Sequence, residues 1–156
     1  MMSRIVVIFL PILTLLFLNT VKAAVIEDKR PLTVSDIMKF NSINVSKISD
    51  NGQWSAYEAK PDFGDSIGYV QHTNNDITYQ VNKGTSPRFS DNSRFVGFIQ
   101  PPSLLVKEQS NKKELKKLTN TLLVVDLADG KQQTFSRVQS YQFAHKSNFV
   151  AILVKA

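Results

Sequence analysis

The sequence predicts an all-β fold, an incomplete β-propeller of about two blades plus the start of a third, preceded by a short N-terminal helix. A repeat that occurs three times is the main observation. Each copy has an apolar residue (Ile48, Phe89 or Phe143), a Ser-Asp-Asn turn or its remnant, and an aromatic residue five positions after the serine position. The residues at +7 and +8 are small, and then apolar or aromatic, in all three copies. A WD-like repeat of about 40 residues built from strands is typical of propeller blades.

Each repeat predicts a β-hairpin closed by a tight turn. Asp can bond to its own backbone two residues on, and Asn and Gly tolerate a positive φ angle. The apolar residue before the turn and the alternating residues after it indicate two antiparallel strands. We therefore expect Trp54 and Phe95 to fill the space between blades, and Ala56 and Gly97 to let a neighbouring blade approach closely.

The elements follow in order along the chain. Thr33 and Asp36 form a capping-box pattern that predicts a two-turn helix, with an apolar face, over residues 33–40. Blade one is predicted to have strands near residues 46–49, 53–59, 67–72 and 77–81. Blade two is predicted to have strands near residues 88–90, 94–99, 121–127 and 131–135. One more strand, over residues 149–154, follows the third turn.

The predicted organisation is a targeting segment over residues 1–23, an N-terminal segment over 24–44 and a partial propeller over 45–156. Within the propeller, blade one spans about 45–86, blade two about 87–139, and the start of blade three 140–156. The repeat spacing is 41 residues from Ser49 to Ser90 but 54 from Ser90 to Ala144. The 13 additional residues fall in a lysine-rich stretch between Pro101 and Asn120, which is predicted to be a helix or a solvated loop. Such a charge run usually marks a solvated surface, and a docking site for an acidic partner is the alternative.

The first 23 residues have the pattern of a signal peptide. A short positive region ending at Arg4 precedes an apolar run over residues 5–18, and Val21-Lys22-Ala23 offers small residues for cleavage. The run is shorter than the ~20 residues of a spanning helix, which favours cleavage over anchoring. The prediction is an exported protein, periplasmic or secreted, without a stable membrane anchor after cleavage.

The charge and the cysteine content argue against nucleic-acid partners, disulfides and thiolate metal sites. Removal of Arg4 and Lys22 lowers the formal charge from +6 to +4, and the lysine-rich stretch alone contributes a local +3. The high isoelectric point therefore does not describe a generally basic surface, and nucleic acid is not a predicted partner. The chain has no cysteine, so disulfides and thiolate metal sites are excluded.

Gly64-Asp65-Ser66-Ile67-Gly68 matches the G-x-S-x-G motif of hydrolase nucleophiles. That chemistry needs a strand before the serine, a helix after it and a histidine base. Here a strand follows Ser66, and the two histidines, His72 and His145, lie in a strand and in a repeat turn. We expect Ser66 to lie in a solvent-exposed hairpin loop, beyond hydrogen-bond reach of either histidine, and the chain to have no catalytic residue.

The acidic residues do not indicate a metal site. Asp50, Asp91 and Asp129 each belong to a tight turn, which accounts for them structurally. Asp62 and Asp65 could touch a cation but lack the dense carboxylate spacing of a calcium loop. No metal and no cofactor are predicted, and Trp54 is interpreted as a filler between blades rather than a ligand platform.

Several segments together resemble a known family. They are residues 31–40, the Ile-Ser-Asp-Asn-Gly-x-Trp turn at 48–54, Gly64-Asp65, residues 84–90 and, after the lysine-rich insertion, residues 122–131. Their order resembles the start of the propeller domain of the prolyl oligopeptidase family of serine peptidases, over about Pro31 to Val154. Each single motif is shared with other propellers, notably that of the periplasmic Tol system. The resemblance implies a propeller that caps a C-terminal α/β-hydrolase domain and admits short or unfolded peptides. The family's catalytic Ser, Asp and His lie in that hydrolase domain, so none is carried over to this chain.

Three hypotheses follow. The first is a non-catalytic N-terminal propeller fragment of an exported serine peptidase, truncated before its catalytic domain. Its partners would be the downstream hydrolase domain of the same polypeptide and the peptide substrates of the parent enzyme. The alternative is a non-enzymatic periplasmic propeller that binds a protein partner. The third is a small esterase that uses Ser66, which the strand-loop-strand context disfavours. An uncovered strand over residues 149–154 also predicts marginal stability or self-association.

Overall fold

The computed structural model describes residues 31–155, which form nine strands and three short helices. The predicted signal peptide lies outside the described residues. The helices are α1 (Val34–Ile37), α2 (Leu104–Gln109) and α3 (Lys112–Leu115). The strands are β1 (Asn41–Ile48), β2 (Trp54–Pro61), β3 (Ile67–His72), β4 (Thr78–Asn82), β5 (Thr85–Phe89), β6 (Phe95–Gln100), β7 (Asn120–Asp126), β8 (Gln132–Phe143) and β9 (Val150–Val154).

Two antiparallel sheets contain all of these strands. The first has the order β1-β2-β3-β4 and the second the order β5-β6-β7-β8-β9, so every strand pairs with its neighbour in sequence. The long strand β8 pairs first with β7 and then, after a bend, with β9. The bend coincides with a positive φ of 61° at Arg137 and a register shift between Val138 and Ser140. The second sheet therefore holds a complete four-stranded blade and, continuous with it, the first hairpin of another.

The main core lies between the two sheets. Trp54, Ala56 and Val70 of the first sheet face Val96 and Phe98 of the second. Ala56, Val70, Val96 and Phe98 are fully buried, and Trp54 is 6 % exposed. Strand β5 lies against β1 and β2, so the first strands of the two sheets converge. This is face-to-face packing of neighbouring blades, and it confirms the predicted position of Trp54.

A second core separates the complete blade from the hairpin that follows it. Its buried members are Leu122, Val124, Val138 and Tyr141, with Phe95 packed at its margin. Successive side chains of a strand point to opposite faces. In strand β7, the side chains of Leu123 and Val125 therefore lie in the first core, and those of Leu122 and Val124 lie in the second. Burial on both faces explains its unbroken apolar run.

Gly97 marks a close approach between blades. The Tyr141 hydroxyl donates a 2.8 Å hydrogen bond to the Gly97 carbonyl oxygen. A Cβ atom at Gly97 would lie 2.7 Å from Cε2 of Tyr141, closer than side chains tolerate. Burial raises the pKa of the Tyr141 hydroxyl well above its usual range. The small residue predicted at this position is therefore required by the ring of the next blade.

Some elements differ from the predicted ones. Helix α1 has its predicted capping box between Thr33 and Asp36 but is only four residues long, because Met38 already caps it. Strand β1 begins at Asn41, before the predicted start at residue 46, and it pairs with β2 over its whole length. Residues 136–143, without a predicted strand, belong to β8. The lysine-rich insertion, predicted to be a helix or a solvated loop, contains the two short helices α2 and α3.

The sheet ends in an uncovered surface. Among the strands that the structure describes, β9 pairs with β8 alone. Phe149 is 77 % exposed and Leu153 is 55 % exposed. Phe149 occupies the repeat position of Trp54 and Phe95, both of which pack against the following blade. The same side chain in the third repeat thus faces solvent where a further blade would pack.

Candidate functional site

The serines of the repeat shape the turns. The amide of Trp54 donates a 3.0 Å hydrogen bond to Oγ of Ser49, and Ser49 Oγ donates to Oδ1 of Asn51 at 2.7 Å. The second repeat has the same pair of bonds about Ser90, at 2.9 and 2.7 Å. Both serines are buried, and both hydroxyls form hydrogen bonds within their own turns. In the third repeat Ala144 keeps only the backbone bond, from its amide to the carbonyl oxygen of Phe149, at 2.9 Å.

These turns contact one another from blade to blade. The amide of Asn51 donates a 3.1 Å hydrogen bond to Oγ of Ser93 in the next turn. Asn92 Nδ2 donates to Oδ1 of Asn148 in the third turn at 2.7 Å. Hydrogen bonds therefore connect the three turns in a row along one end of the blades.

His145 and Asp91 belong to the same row. Nδ1 of His145 is hydrogen-bonded to the Asp91 carboxylate, and the amide of Lys146 donates to the same carboxylate at 3.4 Å. His145 is one of the two histidines considered as a base for Ser66, and Asp91 is one of the acidic residues of the repeat turns. Both side chains take part in the hydrogen bonds between these turns.

The expectation that Ser66 is solvent-exposed is wrong. Ser66 is only 8 % exposed, and its Oγ donates a 3.0 Å hydrogen bond to Oε1 of Glu58. The other carboxylate oxygen of Glu58 accepts the amide of Ser86 in β5, at 3.3 Å. Glu58 is itself 7 % exposed, so hydrogen bonds compensate the cost of burying its charge. The hydrogen bond from Ser66 fixes the β2–β3 loop to Glu58, and the hydrogen bond from Ser86 connects Glu58 to the next blade.

Neither histidine is hydrogen-bonded to Ser66. The ring of His72 packs edge-on against Trp54, with centroids 4.8 Å apart, and its Nδ1 accepts the amide of Asn74 at 3.1 Å. His145 is paired with Asp91. In the hydrolase arrangement a histidine accepts the proton of the serine and is itself oriented by a carboxylate, and neither described histidine contacts Ser66. We therefore interpret the hydrogen bond between Ser66 and Glu58 as a structural link between the β2–β3 loop and strand β2.

The acidic side chains form separate ion pairs. Arg94 contacts Asp126 at 2.9 Å, and Lys131 contacts Asp129 at 2.6 Å. The hydrogen bond from Arg94 holds the pKa of Asp126 below its usual value, and Lys131 lowers the pKa of Asp129 in the same way. Oδ1 of Asp65 accepts the amide of Leu104 at 2.8 Å. Among residues 31–155, no group of three or more His, Cys, Asp or Glu side chains could hold a metal ion.

A cleft of about 400 Å³ lies between the complete blade and the hairpin that follows. Arg94 and Asp126 line one part of it, and Phe135, Phe143 and Val150 line another. The β7–β8 hairpin bounds it on one side and the third repeat on the other, in the region that outer strands of a third blade would cover. The cleft is therefore a part of the inter-blade interface that none of the strands within residues 31–155 fills.

None of the helices in the described part of the chain is long and apolar enough to cross a bilayer.

Comparison with known proteins is informative at the level of structure. No protein-family model matches the sequence, and no significant match was found among curated proteins. Among solved structures, the β-propeller domain of the Trilobed protease from Pyrococcus furiosus, described as having an open velcro topology, matches with a TM-score of 0.52 and 17 % identity. The match covers 73 % of this chain and 34 % of that domain. An acylaminoacyl peptidase from Pyrococcus horikoshii matches with a TM-score of 0.49 and 12 % identity, over 69 % of this chain and 16 % of that enzyme.

The first match shows the fold and its extent. This chain spans about a third of the matched propeller domain. The match confirms, at the level of fold, the predicted resemblance to the propeller domain of a peptidase. The described part of this chain is a partial β-propeller: one four-stranded blade, a second complete blade and the first hairpin of a third.

Proposed function

We propose that this chain is a non-catalytic, N-terminal propeller portion of an exported serine peptidase, which gates access to a downstream α/β-hydrolase domain of the same polypeptide. The observation that carries the proposal is the blade-on-blade stack, because its architecture matches the propeller domain of a protease. The ordered series of sequence motifs supports the same family. The roles of Ser49, Ser66 and Ser90 in hydrogen bonds within the fold support a scaffold without a nucleophile of its own.

The inner edge of the blades suits a passage for peptides. Strands β1 and β5 lie at converging edges of their sheets, and the end of β8 is the corresponding first strand of the third blade. Their exposed side chains are largely polar, and they include Ser46 in β1, Arg88 in β5 and Ser140 in β8. Such side chains can line a water-filled channel and hydrogen-bond to a passing peptide backbone. The proposed passage would admit an extended peptide and exclude a folded protein.

The gating proposal is tested in a longer chain that includes the sequence encoded after Ala156. Tryptophan at Ser46 and Ser140 should narrow the passage. We expect this double variant to lower kcat/KM for peptides of about ten residues by about tenfold, equivalent to ~1.4 kcal/mol. Its reaction with a small fluorophosphonate should be unchanged, because the probe needs little space. Tryptophan at Thr78, exposed on the outer strand β4, is the matched control and should leave both rates unchanged.

Two outcomes contradict gating. One is a longer chain that cleaves folded proteins as readily as short peptides. The other is an equal loss of peptide turnover in the Thr78→Trp control, which would show a general effect of the added rings.

A second candidate is a non-enzymatic periplasmic propeller that binds a protein partner. The exposed Phe149 and Leu153 on the uncovered face favour it, because such side chains are suited to an apolar partner. The two candidates differ in the longer chain. A peptidase hydrolyses peptides and reacts with fluorophosphonate, whereas a binding propeller contains further blades and does neither.

A further inference from the structure

The connections between strands divide between two ends of the blades. The antiparallel register pairs Asn41 with Pro61, Ala59 with Ile67, and Gln100 with Thr121. The β2–β3 loop, the helical insertion and the segment that enters β1 therefore emerge at one end. We call this the basic end, and it comprises residues 32–40, 60–66, 83–84, 101–119, 136–137 and 155. The opposite end comprises the three repeat turns and the two outer hairpin turns, residues 49–53, 73–77, 90–94, 126–131 and 144–149.

Charge is distributed unequally between these ends. The basic end carries ten lysines and arginines against five aspartates and glutamates, a formal charge of +5. The opposite end carries three basic and five acidic side chains, a formal charge of −2. Half of the positive charges of the basic end are exposed lysines of the insertion, Lys107, Lys112, Lys113, Lys116 and Lys117. Clustered charge of one sign attracts a surface of the opposite sign.

Apolar side chains are exposed among these lysines. Nine large apolar residues of the basic end are more than 40 % exposed, five of them within residues 32–40. The other four are Phe63 in the β2–β3 loop and Leu105, Val106 and Leu115 in the insertion. The opposite end has three large apolar side chains of similar exposure at or beside it, Ile48, Ile77 and Phe149. The basic end is thus both cationic and apolar.

Hydrogen bonds hold the insertion on the sheet. Asp65 in the β2–β3 loop accepts the amide of Leu104 at 2.8 Å, which places the start of α2 beside the loop that carries Phe63. Nζ of Lys155 donates to the carbonyl oxygen of Lys116 at 2.7 Å, at the other end of the insertion. The lysines and the apolar side chains are therefore presented on an anchored surface.

We propose that the basic end binds the surface of a bilayer that contains anionic phospholipid. The lysines of the insertion contact lipid phosphates, while Phe63, Leu105 and Leu115 enter the headgroup region. Charge complementarity selects the anionic surface. A bilayer suits this end better than an acidic protein does, because the apolar side chains are dispersed over projecting connections and a bilayer requires no matching shape. This binding goes beyond the proposed gating function and does not depend on it.

Sedimentation with phospholipid vesicles tests the proposal. The chain processed after Ala23 is used, because the apolar leader would itself enter bilayers, and residues Leu32–Ala156 form a compact unit. We expect this chain to sediment at low salt with vesicles of 70 % phosphatidylcholine and 30 % phosphatidylglycerol, but not with phosphatidylcholine alone. Each lysine near an anionic surface contributes about fivefold in partitioning. K112Q/K113Q should therefore lower the partition coefficient by about 25-fold.

The matched control makes the same change of charge elsewhere. Lys47 and Lys146 are exposed at or beside the opposite end, and K47Q/K146Q should change the partition coefficient by less than about twofold. An L105S variant should weaken binding at every salt concentration, whereas the lysine variants should lose their effect at high salt. Equal losses in the two double variants, or no sedimentation with anionic vesicles, would overturn the proposal. Binding to polyglutamate without binding to vesicles would overturn it in favour of an acidic protein partner.

Discussion

Replacing Phe98 with alanine should lower the free energy of unfolding by about 3–5 kcal/mol, as expected for a fully buried aromatic side chain. Phe98 lies in the core between the two sheets, together with Trp54, Val70 and Val96. Its removal leaves a cavity at the blade interface and removes contacts from both blades. Domains of this size have about 5–15 kcal/mol of stability in total, so the loss is a large fraction of it. Urea unfolding followed by tryptophan fluorescence measures the change, because Trp54 is the single tryptophan of the chain.

Phe149 provides a control of the same residue type. It holds the position in the third repeat that Trp54 and Phe95 hold in the first two, but it is 77 % exposed. Phe149→Ala should change the free energy of unfolding by less than about 0.5 kcal/mol, as is usual for surface positions. It should also reduce any self-association of the uncovered face. Comparable destabilisation by the two substitutions would show that the blades are not packed in the order described.

Substituting Gly68 with alanine should cost about 1–3 kcal/mol, because it forces an additional carbon into a filled core. A Cβ atom at this position would lie 2.5 Å from Cε1 of Phe98 and 3.3 Å from Cα of Gly84. The Phe98 ring is fully buried and cannot move into solvent. Gly68 belongs to the first sheet and Phe98 to the second, so the substitution should push the two blades apart. Thermal unfolding by circular dichroism measures the loss.

A double substitution shows whether contact with Phe98 causes the loss of stability at Gly68. Leucine at position 98 is smaller than phenylalanine and leaves room for the added methyl group. Gly68→Ala combined with Phe98→Leu should therefore be less destabilised than the sum of the two single variants, with a coupling of about 0.5–3 kcal/mol. Simple additivity would mean that the cost at Gly68 comes from its backbone and not from contact between blades.

The repeat allowed the turn geometry and much of the core to be predicted from sequence. Its offsets identify Trp54 and Phe95 as side chains that pack towards the following blade, and Gly97 as a point of close approach. These features are local or periodic, so a single strand carries enough information to indicate them. The capping box of α1 was predictable for the same reason, since Thr33 and Asp36 lie one turn apart.

The link through Glu58 was not predictable in this way. Its partners Ser66 and Ser86 are 8 and 28 residues away, and only the folded arrangement of two blades brings them together. A signal was nevertheless present, because Glu58 is a charged residue in the inward-facing series that contains Trp54 and Ala56. A buried carboxylate requires hydrogen-bond donors, which predicts partners without identifying them. Strand β8 extends past its predicted end at residue 135 because, after the bend at Arg137, it pairs with β9.

Fluorophosphonate labelling, with the modified serine mapped by mass spectrometry, tests most directly whether this chain is a propeller scaffold without a nucleophile. The probe reacts with serines activated by a base such as histidine, whereas the Ser66 hydroxyl contacts no histidine and donates its hydrogen bond to the Glu58 carboxylate in a structural link. The chain alone should remain unlabelled, as should Ser66→Ala and the exposed control Ser46→Ala. A longer chain should be labelled at a serine beyond Ala156. Stoichiometric labelling of the chain alone at Ser66, lost in Ser66→Ala but not in Ser46→Ala, would contradict the scaffold and establish an esterase.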